Sequence, residues 1–279
     1  MPRVTVIIPT YNWSAVLPYS IGSALDQTFT DFELLVIGDG CTDDSEQVVS
    51  AIRDPRVRWI NIPRSGHQSG PNNEGLRQAQ GEYVAYLGHD DLWLPHHLDV
   101  LVAACDSGAD LAHAALVMIH SNGAVAIPPH NAKPPTSVMH RRDAIARVGG
   151  WRDYRDLMET PEGDLWERFE TAGCTIVFVE RLTAIKFPAL WRKNVYRKRP
   201  CHEQAAWLAR IRAGENLEML KLNAVEPSII DRLLRLLAHP SEWFSVLWRR
   251  PGGRIRAWQR VKGVANVARS AKRPTDRHE

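Results

Sequence analysis

Short β-branched runs alternate with segments of helical spacing over the first hundred residues, and this alternation most limits the folds open to the chain. The apolar runs predict four buried strands, at residues 4–8, 32–37, 57–60 and 83–87. The segments between and after them predict helices, at residues 14–27, 43–53, 72–80 and 95–105. Strands that alternate with helices form a parallel sheet covered by helices on both faces, so we predict an α/β fold.

The pattern changes near residue 190. Further strands are expected within residues 110–127 and at 175–180, and from about residue 203 the pattern is helical. We therefore predict an α/β domain at 1–190, a helical extension at 191–248 and a basic tail at 249–279.

Composition excludes several classes of protein. Hydrophobic residues make up 44% and charged residues 24% of the 279, which is typical of a globular chain and not of a disordered or coiled-coil one. Because no apolar run reaches roughly 18–20 residues, we expect no membrane span. Because residues 1–8 show no charged segment followed by a long apolar run, we expect no secretory leader. The four cysteines form no Cys-x-x-Cys pair, so we expect free thiols and a cytoplasmic protein.

The net charge of +3 is unevenly distributed. Residues 249–279 hold ten Lys or Arg and two acidic residues, a charge of +8 that leaves −5 on the preceding chain. The acidic body argues against nucleic acid as a partner. Apolar residues recur in the tail at near-helical spacing, which favours a basic amphipathic helix on anionic lipid at the inner face of a membrane. A solvated terminus and a helix that docks on a partner protein are the alternatives.

Three polar segments follow predicted strands, at the edge where a parallel sheet binds its ligands. They are residues 9–12 (Pro-Thr-Tyr-Asn), 38–40 (Gly-Asp-Gly) and 88–91 (Gly-His-Asp-Asp). Small, polar and acidic residues at that edge favour a nucleotide lying across the strand ends. No G-x-G-x-x-G follows the first strand, which argues against a dinucleotide-dependent oxidoreductase.

These segments resemble the nucleotide-sugar domain of family 2 glycosyltransferases. The resemblance rests on VTVIIPTYN, FELLVIGDGCTDDS and NNEGLRQAQGEYVAYLGHDDLWLP within residues 3–105, and on MHRRDAIARVGGWRD and PEGDLWERFETAGCTIVFV within 137–182. It implies a GT-A fold, which is a Rossmann-like, mostly parallel sheet flanked by helices. It also implies transfer of a sugar from a nucleotide-diphospho-sugar donor with inversion at the anomeric carbon.

The resemblance places the nucleotide after the first two strands. It gives Asp39 the task of accepting the imide proton of uracil, and a turn-forming aspartate is the alternative. Pro9 and Tyr11 are expected to line the pocket, where Tyr11 stacks on the base or, alternatively, only packs at the strand end. The acid that the family usually has before Asp39 is Gly38 here.

The segment 88–91 matches the place where family members usually carry Asp-x-Asp. Gly88 stands in place of the first aspartate, so we expect Asp90 to bind a divalent metal, Mg²⁺ or Mn²⁺, that bridges the diphosphate to the protein. Gly88 and Asp91 are expected to lie against the donor. Alternatively, Asp91 caps the helix that follows.

The second stretch of resemblance implies an acceptor side. Glu162 is our first choice for the base that takes the proton of the acceptor hydroxyl, and Asp164 is the second choice or a helix cap. Trp151, in a Gly-Gly-aromatic element, is expected to offer an apolar face to a sugar ring. Asn73 is expected in the pocket at the start of a helix, or as the cap of that helix.

The segment 191–199, WRKNVYRKR, has five basic residues in nine. It predicts either a loop that closes over the diphosphate or a solvated basic loop, and His202 just after it is a weaker candidate metal neighbour. The resemblance implies an inverting, metal-assisted glycosyltransferase of glycan synthesis with a UDP-linked donor. Its acceptor would be a glycan, a lipid-linked molecule or a small molecule. The alternative, motivated by Gly88, is a catalytically impaired nucleotide-sugar-binding or scaffold protein of the same fold.

Overall fold

The computed structural model describes residues 1–129 and 132–220, apart from the side chain of Leu190. Within these residues the strands are β1 (Val4–Thr10), β2 (Phe32–Asp39), β3 (Val57–Ile62), β4 (Tyr83–Tyr86), β5 (Leu92–Trp93), β6 (Leu111–Ile119), β7 (Val125–Ala126), β8 (Val138–Arg141) and β9 (Ile176–Lys186). The α-helices are α1 (Leu17–Leu25), α2 (Ser45–Ser50), α3 (Ser69–Gln78), α4 (His97–Asp106), α5 (Ala144–Val148), α6 (Pro161–Thr171), α7 (Val195–Lys198) and α8 (His202–Arg212).

The strands form one mixed sheet in the order β3-β2-β1-β4-β8-β6-β9-β5, and β7 pairs with β6. Strands β1 to β4 are mutually parallel, as the alternation of strands and helices predicts. Strand β8 runs antiparallel to β4 and β6, and β5 runs antiparallel to β9. The α/β fold class is therefore confirmed.

Both faces of the central strands are buried, as their continuous apolar runs predict. Successive side chains of a strand point to opposite faces. Thus Val6 and Ile8 of β1 join a cluster with α1 and α4, whereas Ile7 joins a cluster with α5 and α6. A third cluster packs Leu208 and Ile211 of α8 against β5, β6 and β9. The described part of the predicted extension thus covers one end of the sheet.

The register of the sheet brings the ends of β1, β2 and β4 to one edge. Thr10 pairs with Gly38, and Ile7 pairs with Tyr86 just before β4 ends. Consequently the three polar segments that follow these strands lie side by side at the carboxyl edge. This edge is where parallel sheets bind ligands.

Two elements differ from the sequence-based expectation. Helix α3 begins at Ser69, not at residue 72, and Pro71 is tolerated because it lies in the first helical turn. The later start was expected because the polar residues before Pro71 show no apolar periodicity. Strand β9 continues to Lys186, beyond the expected end at residue 180. Its polar pair at 180–181 is exposed, which interrupts the apolar run without ending the strand.

The three-part division of the chain stays a prediction. The tail at 249–279 and most of the extension lie outside the described residues. Among residues 1–129 and 132–220, no helix combines the length and the apolar character needed to cross a bilayer.

Candidate active site

A cavity of about 710 Å³ opens at the carboxyl edge of the sheet. Its wall contains six of the residues predicted for the site, namely Pro9, Tyr11, Asp39, Gly88, Asp90 and Glu162. It also contains Thr10, Trp13, Arg64, Gly66, His67, Gln68, Pro71, His89, Thr160, Pro161, Lys186, Tyr196 and Arg199. The structure thus brings together residues that lie up to 190 positions apart in the sequence.

Asp39 ends β2 and is 4% exposed. Its Oδ1 accepts hydrogen bonds from the backbone N–H and the hydroxyl of Ser65, both at 2.6 Å, and its Oδ2 accepts one from the N–H of Gly66 at 2.9 Å. Arg64 lies 3.8 Å from the same Oδ2. Three N–H or O–H donors hold this carboxylate in one orientation. Oδ2 accepts from only one N–H, so it can still accept a second hydrogen bond from a nucleobase.

Two glycines shape this end of the cavity. Gly40 has φ +69°, and a Cβ there would lie 2.9 Å from Arg64 Cβ and 3.0 Å from its backbone N and Cα. Only glycine combines this backbone conformation with so close an approach of two chains. A Cβ at Gly38 would lie 2.6 Å from Asn61 Oδ1 and from the ring of Trp59. The family's usual acid before Asp39 therefore has no space here.

Tyr11 and Arg64 cover the same end. The guanidinium carbon of Arg64 lies 3.2 Å from the centre of the Tyr11 ring, and Tyr11 is 39% exposed. A cation over an aromatic face is a favourable contact. The face of Tyr11 predicted to stack on a base is thus already paired with a flat cation, which sequence reasoning missed.

Gly88, His89 and Asp90 form the middle of the wall. His89 shares a hydrogen bond of 3.0 Å between its Nδ1 and the Thr10 hydroxyl, and burial lowers the pKa of its ring to about 4. Burial and the neighbouring charge of Asp91 raise the pKa of Asp90 to about 7, while Lys186 acts in the opposite direction. A cation close to Asp90 would therefore stabilise the ionised form of its carboxylate.

The structure corrects the expectation for Asp91. Its side chain is fully buried and does not line the cavity. It accepts hydrogen bonds from the Lys186 ammonium at 2.9 Å, the Phe187 N–H at 3.0 Å and the Thr136 hydroxyl. It does not cap α4, where the residue at the cap position is His96. Asp91 therefore ties the end of β9 to the loop after β4.

The two candidate bases have different surroundings. Glu162 lies in the cavity wall, in the first turn of α6, and its Oε2 accepts a hydrogen bond of 3.1 Å from Gln68 Nε2. Asp164 is 8% exposed, lies outside the wall and pairs with Arg152 at 3.1 Å and with Arg168 at 2.8 Å. Both oxygens of Asp164 are thus engaged by guanidinium groups. The helix cap is Thr160, so the capping alternative for Asp164 is wrong as well.

Asn73 and Trp151 support the site from behind, contrary to their expected places in it. The amide of Asn73 donates to the Trp151 carbonyl at 2.7 Å and accepts from the Trp151 N–H at 2.8 Å. The Trp151 ring is 3% exposed and packs edge-on against Tyr86 and Trp166. Asn73 is the fifth residue of α3, so it does not cap that helix. Both side chains are committed to protein contacts.

The basic segment contributes to the cavity through α7. Tyr196 and Arg199 line the wall, and burial and the acids nearby raise the pKa of Tyr196 to about 12. Arg192 is 8% exposed and pairs with Glu203 of α8 at 2.7 Å, which anchors the segment. His202 is exposed and does not line the cavity.

Sequence reasoning missed Lys186, Arg64, His67 and Gln68. Lys186 was missed because β9 was predicted to end at residue 180. If the strand had been extended past the polar residues 180–181, Lys186 would have been placed at its carboxyl end, near the site. The other three lie in the loop between β3 and α3, in which the sequence shows no motif.

A divalent metal would find one open carboxylate here. Within residues 1–129 and 132–220, no three His, Cys, Asp or Glu side chains are grouped to hold a cation. Asp90 is nevertheless an oxygen ligand in the cavity wall, and Mg²⁺ is commonly held by one or two carboxylates together with substrate phosphates. The residues therefore fit a metal whose coordination is completed by the donor.

Relatives share parts of this chain. It is 35% identical over 113 residues to "GalNAc(5)-diNAcBac-PP-undecaprenol beta-1,3-glucosyltransferase" of Campylobacter jejuni, over 39% of this chain and 36% of the relative. It is 31% identical over 100 residues to "UDP-Glc:alpha-D-GlcNAc-diphosphoundecaprenol beta-1,3-glucosyltransferase WfgD" of Escherichia coli, over 36% of this chain and 40% of the relative. The matched segments span roughly a third of the length of such curated relatives.

Solved structures share the fold. Staphylococcus aureus TarS in complex with UDP superposes with a TM-score of 0.58 at 20% identity, over 78% of this chain and 66% of that one. The mannosyltransferase PcManGT of Pyrobaculum calidifontis in complex with GDP-Man and Mn²⁺ gives 0.57 at 17% identity, over 96% and 80%. The sheet is thus that of GT-A glycosyltransferases. The model of the family Glycosyl transferase family 2 matches residues 5–182, which include the cavity from Pro9 to Glu162, and the chain belongs to that family.

Proposed function

We propose that the protein transfers a sugar from a nucleotide-diphospho-sugar, with UDP as the preferred nucleotide, to a hydroxyl group of a glycan, a lipid-linked saccharide or a small molecule, with inversion. One observation carries the proposal. Asp39, Asp90 and Glu162 lie in the wall of one cavity, although 123 residues separate the first from the last. The family relatives act in glycan synthesis by their names, and the structural neighbours bind UDP or GDP-Man.

In this proposal Asp39 and Tyr11 bind the nucleobase of the donor. Uracil presents an imide N–H, which the Asp39 carboxylate can accept while Ser65 and Gly66 hold it in place. The base stacks at Tyr11, where it displaces or adds to the guanidinium of Arg64.

The chemical step needs a base on the acceptor side. Glu162 takes the proton of the acceptor hydroxyl as its oxygen bonds to the anomeric carbon, and the bond from that carbon to the diphosphate oxygen breaks. Gln68 orients the Glu162 carboxylate through the 3.1 Å hydrogen bond without removing its charge. Asp90 would hold the Mg²⁺ or Mn²⁺, which when bound neutralises charge on the diphosphate.

A panel of nucleotide sugars tests the proposal. UDP-sugars are expected to raise the melting temperature of the purified protein, more in Mn²⁺ than in EDTA, because a ligand of the folded state stabilises it. Transfer to saccharide acceptors, followed by the anomeric configuration of the product, tests catalysis and inversion. Binding of a donor with no turnover over a broad acceptor set would instead support the impaired nucleotide-sugar-binding protein, and absence of any binding would overturn both.

A further inference from the structure

Lys186 is a cation in the cavity wall beside Asp90. It is the last residue of β9, and 29% of its side chain is exposed. Its ammonium donates to Asp91 Oδ2 at 2.9 Å, and it has no second hydrogen-bond acceptor in the part of the chain that the structure describes. An ammonium has three N–H groups, so two are left for a ligand in the cavity.

The carboxylate of Asp91, which pairs with Lys186, occupies the place of a side chain at position 88. A Cβ at Gly88 would lie 2.7 Å from Asp91 Oδ2 and 3.1 Å from its Cγ. The resemblance expects an aspartate at position 88, which would add a negative charge. The structure instead has no charge at position 88, and a lysine pairs with the neighbouring carboxylate of Asp91, so this corner of the cavity has one acid fewer than the resemblance implies.

The lysine is fixed before any ligand arrives. Asp91 is fully buried and is itself held by Phe187 and Thr136, so the acceptor of the Lys186 ammonium cannot shift easily. A preorganised cation stabilises charge without first reorganising its surroundings. A solvated lysine on a flexible stem would lack this advantage.

We infer that Lys186 binds the diphosphate of the donor directly and stabilises the charge that develops on it when the sugar leaves. The inference rests on the proposed function and assigns a further catalytic residue to it. In the step, the electron pair of the broken bond passes to the diphosphate oxygen, and the Lys186 N–H groups hydrogen-bond to that oxygen or to its phosphate. The proton of the acceptor goes to Glu162, so Lys186 keeps its own.

Nucleotide binding in EDTA isolates the lysine from the metal. The measurement is calorimetry of UDP and UMP, with GDP and GMP in parallel, on the full chain. Lys186→Gln is expected to weaken UDP by about 10- to 100-fold while UMP changes by less than about threefold, because UMP lacks the second phosphate. Lys186→Arg should restore most of the UDP affinity.

Two further variants separate charge from folding. Lys133→Gln makes the same substitution at a lysine that pairs with Glu170 at 2.9 Å and lies outside the cavity wall, and it should leave the UDP-to-UMP ratio as in the unaltered protein. The double variant Asp91→Asn/Lys186→Gln buries no unpaired carboxylate, so it keeps the test open where the single variant fails to fold. It is compared with Asp91→Asn alone.

The outcomes distinguish this inference from the proposed function. Selective loss of diphosphate affinity in Lys186→Gln, with Lys133→Gln unaffected, supports it. An unchanged UDP-to-UMP ratio in Lys186→Gln, or an equal drop in Lys133→Gln, overturns the inference while the proposed function stands. If the unaltered protein binds neither UDP nor GDP in EDTA or Mn²⁺, both are overturned.

Discussion

Replacing Gly40 by alanine tests whether the close approach of two loops holds Asp39 in place. Gly40 has φ +69°, and the added Cβ would lie 2.9–3.0 Å from Arg64, including its backbone. Gly173, between α6 and β9, has the same φ of +69°, and a Cβ there would meet no atom within 4 Å. Gly173→Ala is therefore a matched control, because it has the same backbone strain and lacks the contact.

The two costs can be separated by size. A non-glycine residue in the left-handed region costs roughly 1–2 kcal/mol, which both variants share. Forcing an extra carbon into a packed place costs a further 1–3 kcal/mol, roughly, and only Gly40→Ala has this term. We expect the free energy of unfolding to fall by about 2–5 kcal/mol in Gly40→Ala and by about 1–2 kcal/mol in Gly173→Ala.

Gly40→Ala should also affect nucleotide binding, because the loop at residues 64–66 would have to move to make room for the added Cβ. Residues 64–66 carry the donors that hold Asp39, so a shift of Arg64 disturbs the carboxylate proposed to accept the base. Urea unfolding measures the stabilities, and calorimetry measures UDP affinity, which should fall about tenfold or more in Gly40→Ala and stay nearly unchanged in Gly173→Ala. Equal destabilisation by the two substitutions would refute the close-approach argument, and intact UDP affinity in a destabilised Gly40→Ala would refute the link to Asp39.

Three other predictions follow from the same structure, and a fourth follows from the sequence of the tail. Glu162→Gln should lower the rate of sugar transfer by about 10²-fold or more and leave UDP affinity within about threefold, since a general base acts in the chemical step; an equal loss of UDP affinity would contradict that role. Asp90→Asn should abolish the gain in UDP affinity on adding Mn²⁺ but not the affinity in EDTA, and a retained Mn²⁺ effect would exclude Asp90 as the ligand. Burial lowers the pKa of three core histidines, to about 3 in His97 and to about 4 in His113 and His140. These pKa values lie below the ordinary value near 6.5, so as the pH falls below 6.5 the unfolded chain binds protons that the folded protein does not. Each histidine should therefore lower the free energy of unfolding by about 1.3 kcal/mol between pH 7.5 and pH 5.5. Urea unfolding at both pH values checks this, and His97→Gln should lessen the difference. Deleting residues 249–279, with ten basic and two acidic side chains, should reduce co-sedimentation with phosphatidylglycerol vesicles but not with phosphatidylcholine vesicles, and equal binding of both would contradict an electrostatic membrane contact.

The sequence was sufficient to predict those cavity residues that directly follow a parallel strand. The order of apolar runs predicts the parallel strands, and the ends of parallel strands share an edge, so Asp39 and Asp90 were predicted together from local pattern alone. Glu162 was found through the resemblance, because the helix that carries it comes from a distant part of the chain.

Sequence reasoning failed at two acids whose carboxylates are engaged by cations. Asp91 and Asp164 resemble functional acids in their motifs, but Lys186 holds the first, and Arg152 and Arg168 hold the second. The pairing of Asp91 does not follow from its motif, since 95 residues separate it from Lys186. The pairing of Asp164 with Arg168 could have been read from the sequence, because residues four apart on a helix are neighbours.

The two departures from the family pattern have one physical cause, which is space taken by a neighbour. A Cβ at Gly38 would meet Asn61, whose amide holds Cys41 through hydrogen bonds of 2.9 and 3.0 Å. A Cβ at Gly88 would meet the carboxylate of Asp91. Gly88→Asp alone would therefore place a third acid against a buried carboxylate and weaken folding without creating a second metal ligand. To restore the usual Asp-x-Asp, Asp91 and Lys186 would have to change as well, which makes the lysine and the glycine parts of the same arrangement.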